Sequence, residues 1–101
     1  MITIDRYNFD GPHTIPDMLK DIAGIYAILD LFDNQYSVID IGESTMVRTR
    51  IETHDRKNCW IINSRGHLQY AVLYTPGMNE NKRREIESYL RSIYQPSCGV
   101  Y

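Results

Sequence analysis

The sequence predicts a small α/β fold of the α+β kind, with a largely antiparallel three-stranded central sheet flanked by helices in the order β-β-α-β-α. Two observations support this. Residues 24–32 (GIYAILDLF) and 35–42 (QYSVIDIG) are apolar, β-branched and aromatic runs on either side of Asp33-Asn34, which reads as a hairpin turn. Residues 79–94 place Ile86, Tyr89, Leu90 and Ile93 at helical spacing, with Asn79 as a cap and Pro96 just beyond the end.

The remaining elements follow from weaker signals. Ile2 and Ile4 alternate within residues 2–9 and suggest an edge strand. The stretch TIPDMLKDIAG predicts a short helix, with Pro16 near its start, Asp17 in its first turn and Gly24 as its stop. After Gly42, residues 43–56 contain no Pro or Gly and offer Ser44 or Thr45 as a cap, which predicts a helix over 46–55. Residues 68–75 (LQYAVLYT) read as a third strand, closed by Pro76-Gly77.

A length of 101 residues fits one domain, 1–101, with no internal repeat or linker. Apolar residues at 43% and charged residues at 24% are an ordinary globular balance. No apolar run approaches the roughly 20 residues of a membrane span, so no membrane partner is expected. The start, with Asp5 and no basic-then-apolar stretch, does not read as a signal peptide. Cys59 and Cys98 lack metal-site or redox-motif spacing and are expected as free thiols in a reducing cytoplasm. The net charge of −2 works against general nucleic-acid affinity, which comes mainly from Lys and Arg on phosphates. Binding to nucleic acid therefore requires a local basic patch, either Arg48, Arg50 and Arg56 or Lys82, Arg83 and Arg84.

Several polar residues fit poorly with a plain core. Val47, Arg50, Ile51 and His54 share one face of the predicted middle helix, while Arg48 points to water. An inward-facing Arg50 needs a carboxylate, a phosphate or an opening to solvent. Asp40 interrupts the apolar run of a strand expected to be central, so it must be paired, hydrated or bound to a cation. Arg50 is a candidate partner for it. Glu85 and Glu87 flank the apolar stripe of the last helix, and periodicity does not choose between them.

These residues line up with a known pattern. Gly24-Ile25-Tyr26 reads GIY, and Asp40-Ile41-Gly42 reads DIG fourteen positions after Tyr26. Arg50 and His54 follow in an Arg-xxx-His arrangement, and Glu87 stands nine residues before Pro96. In this order and spacing, over residues 22–99, the chain resembles the GIY-YIG nuclease family, and the resemblance selects Glu87 over Glu85.

The resemblance implies hydrolysis of a DNA phosphodiester bond, in duplex or branched DNA, using one divalent cation, Mg²⁺ or Mn²⁺. Glu87 would be the metal ligand, and Arg50 would hold the scissile phosphate. Tyr26 would sit beside the attacking water as base or positioner, and His54 would orient a water or a phosphate oxygen. Arg48, Lys82 and Arg83 are the candidate contacts to the flanking backbone. Target choice would come from DNA structure, from a homodimer or from an accessory protein.

Three departures stand against the family pattern: Asp40 replaces the second motif's tyrosine, Glu43 stands where a lysine is common, and Ser97-Cys98-Gly99 lacks the asparagine that usually follows the proline. Asp40 could weaken substrate binding, join Glu87 at the metal, or act as the base. The alternative to an enzyme is a catalytically impaired module that binds nucleic acid or a protein partner. Register offers a check, because Tyr26 and Asp40 oppose each other only across an odd-length connection or a bulge. A strict two-residue turn opposes Tyr26 to Ile41 instead.

Overall fold

The computed structural model describes residues 1–99, so the last two residues of the expected 1–101 domain lie outside the described residues. Five strands and three α-helices form: β1 (Ile2–Ile4), β2 (Tyr7–His13), β3 (Gly24–Phe32), β4 (Gln35–Ser44), α1 (Val47–Glu52), α2 (Lys57–Asn63), β5 (His67–Tyr74) and α3 (Glu80–Tyr94). The strands make one antiparallel sheet in the order β1-β2-β5-β3-β4. The expected three strands are its β3, β4 and β5. The sheet has five rather than three because the weak Ile2/Ile4 alternation marks a real hairpin, β1–β2, that continues onto β5.

Alternation along β3 divides the core into two layers. Ile25, Ala27 and Leu29 pack with Ile41, Ala71, Phe9, Ile86 and Leu90, under α3. Tyr26 and Ile28 pack with Val72, Val47, Ile51 and Trp60, under α1 and α2. Both faces of β3 are therefore covered, which explains its unbroken apolar run. The turn is the two-residue one expected at Asp33-Asn34, with φ of 53° and 63°, the left-handed pair that matches strand twist.

Helix boundaries depart from expectation at two places. The segment around Pro16 forms only a 3₁₀ turn, Pro16–Met18, preceded by extended Ile15, because Leu19 is its single well-buried apolar side chain. Asp21, from the same stretch, caps α1 instead, accepting from the Thr49 backbone N–H at 2.9 Å and its hydroxyl at 2.6 Å. The helix expected over 46–55 stops at Glu52, where the Thr53 hydroxyl donates back to the Thr49 carbonyl at 2.8 Å. A separate helix, α2, follows. It buries only Trp60 and leaves Ile61 and Ile62 exposed, so no apolar stripe announced it.

Cys59 and Cys98 are joined in a disulfide, not free as expected. The bond ties α2 to the segment after α3, two regions whose approach depends on tertiary folding and cannot be read from Cys spacing. It closes a loop of 39 residues, which in a chain-entropy account constrains the unfolded state by up to about 4 kcal/mol. Reduction is expected to lower stability by about 2–4 kcal/mol, read as a drop in urea midpoint with reductant that is absent in a Cys59→Ser/Cys98→Ser variant.

Candidate active site at the margin of the sheet

The site is positioned by a bulge. Pairing runs Phe32↔Gln35 to Leu29↔Val38, then shifts so that Ile28 meets Asp40 and Tyr26 meets Gly42. Ile39 is the extra residue, and it restores the parity that a two-residue turn alone would lose. Tyr26 and Asp40 thus lie on one face, diagonally related rather than directly opposed. Gly42 serves this arrangement by having no side chain, since a Cβ there would overlap the Tyr26 ring and hydroxyl.

Asp40 is fully buried, and its partners are not the expected Arg50. Arg56 donates through Nε (2.8 Å) and Nη2 (3.2 Å), Trp60 through Nε1 (2.8 Å), and Arg91 through Nη1 (2.9 Å). The Asp40 carboxylate also accepts from the Ile41 backbone N–H at 2.9 Å. Burial alone pulls its pKa up, but the bonds from Arg56, Trp60 and Arg91 outweigh it and hold the carboxyl below its ordinary value. With both oxygens occupied by fixed donors, Asp40 anchors the elements that surround it. Arg50 turns instead to Asp55 at 3.2 Å, and its charge acts on Tyr26 and His54.

The Tyr26 hydroxyl lies 2.7 Å from His54 Nε2. The Arg56 backbone N–H donates to His54 Nδ1 at 3.0 Å, which assigns the ring proton to Nε2 and makes Tyr26 the acceptor. Burial, with the charges of Arg50 and Arg56, lowers the His54 pKa to about 4, so the imidazole is neutral at physiological pH. Burial pushes the Tyr26 pKa up to about 12, against the pull of Arg50 and Arg56. A neutral phenol results, with its own proton available for donation.

Glu87 is half-buried on α3, one turn before Arg91, and makes no hydrogen bond or ion pair among the described residues. Burial and the charge of Glu43 raise its pKa. A carboxylate destabilised in this way fits a divalent cation, which commonly takes one or two carboxylates and completes its shell with water and phosphate. Among the described residues, no group of three or more His, Cys, Asp or Glu gathers to form a fuller cage. Glu85, by contrast, is exposed.

The remaining candidates are dispersed. Arg48 points outward beside Glu52 at 3.6 Å, and Lys82 lies exposed beside Glu85 at 3.5 Å. Arg83 is buried, contrary to a backbone-contacting role: it pairs with Glu43 at 3.0 Å and donates to the Met78 carbonyl at 2.8 Å. Trp60 is buried against His54, with ring centroids 4.7 Å apart. Arg91 was not named from sequence, and Arg56 entered only as a member of a candidate basic patch with Arg48 and Arg50. Arg91 stands four residues after Glu87 on the same helical face, a signal that was present. Arg56 lies beyond the end of α1, where periodicity gives no direction.

The fold matches a solved structure, the GIY-YIG N-terminal endonuclease domain of UvrC from Thermotoga maritima, a point mutant bound to its catalytic divalent cation. The TM-score is 0.53 at 21% identity, covering 81% of this chain and 87% of that one. This chain therefore has a GIY-YIG-like fold. No protein-family model matches the sequence, and no curated protein does.

Two outcomes follow from this geometry. Asp40→Ala leaves two guanidinium groups without their buried counter-charge, and is expected to cost about 3–5 kcal/mol in thermal or urea unfolding. His54 titrates near 6.5 unfolded and about 4 folded, so the unfolded chain binds the proton more readily. Stability should be full above about 6.5 and fall as pH drops toward 4, by up to about 3 kcal/mol, with a flatter profile in His54→Asn.

Proposed function

We propose that this GIY-YIG-like fold serves a metal-dependent endonuclease that hydrolyses DNA phosphodiester bonds. The observation that carries the reading is half-buried Glu87, without a hydrogen bond or ion pair among the described residues, at the sheet margin where Asp40 and the Arg56 and Arg91 guanidinium groups meet, whose charges all act on it. A bound cation, Mg²⁺ or Mn²⁺, supplies Lewis-acid stabilisation of the phosphate and the leaving oxygen. Glu87 holds it, and its raised pKa means that lower pH weakens the hold. Arg50, only loosely tied to exposed Asp55, exchanges that partner for a non-bridging phosphate oxygen and stabilises the charge that builds there.

Tyr26 acts as a neutral hydroxyl. His54 fixes its oxygen by donating to it, which frees the phenolic proton to hold the attacking water or a phosphate oxygen. His54 keeps this tautomer because the Arg56 backbone N–H occupies Nδ1. A second reading, an impaired module that binds nucleic acid or a protein, draws support from the burial of Tyr26, 1% exposed, and from Glu43 beside Glu87.

Supercoiled and branched DNA incubated with Mg²⁺ or Mn²⁺ separates the two. Wild type is expected to cut, and Arg50→Ala and Glu87→Ala to reduce cutting by at least about a hundredfold while melting as wild type does. No cutting by well-folded wild type on either substrate would favour the module.

A further inference from the structure

We propose that Arg56 is a second phosphate-binding residue of this site, held in place by Asp40 so that its remaining donors meet the DNA backbone beside Arg50. The inference rests on the nuclease reading and adds a residue that the motif comparison does not supply.

A guanidinium carries five N–H donors in a fixed fork. Asp40 engages Nε and one hydrogen of Nη2, which leaves three, and Nη1 makes no hydrogen bond among the described residues. The Arg56 side chain is 29% exposed while Asp40 is fully enclosed, so the group is anchored from inside and open on its outer side. Its backbone N–H reaches His54 Nδ1, and His54 Nε2 reaches Tyr26, so one residue sets the Tyr26–His54 pair and adds charge beside it.

Asp40 shares its carboxylate between Arg56 and Arg91. Of the two guanidinium side chains Arg56 is the more exposed, 29% against 11%. A backbone phosphate is the anion that its outward donors suit.

The test separates phosphate binding from the structural service Arg56 gives Asp40. Arg56→Gln alone leaves Asp40 short of one partner and is liable to unfold, so the paired variant Asp40→Asn/Arg56→Gln removes both charges together. Binding of a short fluorescent duplex is measured in EDTA across a salt series, with melting temperature and Mg²⁺-dependent cutting followed in parallel. The paired variant also takes the Asp40 charge from Arg91, so it is expected to melt below wild type; Arg56→Lys, which keeps a cation on Asp40 but not the outer donors, is expected to melt near wild type. Both are expected to bind about tenfold more weakly, with a salt slope smaller by about one in the paired variant. Affinity and slope unchanged from wild type would overturn the assignment of Arg56 and leave the nuclease reading standing if wild type cuts. Wild type that neither binds nor cuts would overturn both.

Discussion

The buried carboxylate of Asp40 is the constraint on which the rest of the site depends. One side chain on β4 accepts from α2 through Trp60, from the turn before α2 through Arg56, and from α3 through Arg91. The helices lie on opposite faces of the sheet, and Arg91 joins them at the outer edge of β4, where the Cys98 N–H also donates to the Ile39 carbonyl at 3.0 Å. Arg91 also donates to the Ile41 and Cys98 carbonyls, so the segment after α3 is drawn into the same network. Burying a charge is costly unless every lone pair is met, and here each oxygen has at least two donors. An apolar residue at this position could fill the space, but it would not specify how three elements meet.

The β4 bulge makes that network compatible with the rest of the sheet. A regular ladder from the Asp33-Asn34 turn would set Tyr26 against Ile41 and point Asp40 into the α3 layer, where only apolar side chains wait. The extra residue, Ile39, turns Asp40 toward Trp60 and brings Gly42 beneath the Tyr26 ring. The absence of a side chain at Gly42 then lets the phenol lie flat enough to reach His54. The glycine of the second motif is thus required by its neighbour's volume rather than by its own backbone angles.

Much of this was legible in the sequence, though unevenly. The hairpin and α3 were clear because their signals are local, a turn pair between apolar runs and a stripe of period 3.6. The ordered spacing of Tyr26, Arg50, His54 and Glu87 was enough to identify the fold. α2 was not legible, since its only buried side chain is Trp60 and a single contact has no period. The bulge was illegible too, because register depends on packing from both faces. The partner of Asp40 was misjudged for a similar reason: sequence distance favoured Arg50, whereas Arg56 and Arg91 reach it through a turn and round a sheet edge. The disulfide likewise joins parts of the chain that meet only in the folded state.

Asp40 stands where the resembled family carries a tyrosine, and this changes what each remaining group can contribute. A phenol with a pKa of about 12 is ionised to about one part in 10⁵ at neutral pH, too little for an efficient base unless nearby charge shifts it further. Two guanidinium groups already act on Tyr26, and burial still dominates them. Its useful property is therefore its directed proton, fixed by a histidine that is itself kept neutral. Glu43 is largely neutralised where it stands, with Arg83 at 3.0 Å and Arg84 at 3.7 Å. Glu43 and Asp40 thus each collect cations around themselves, and between them they fix the guanidinium groups that surround Glu87 at this margin.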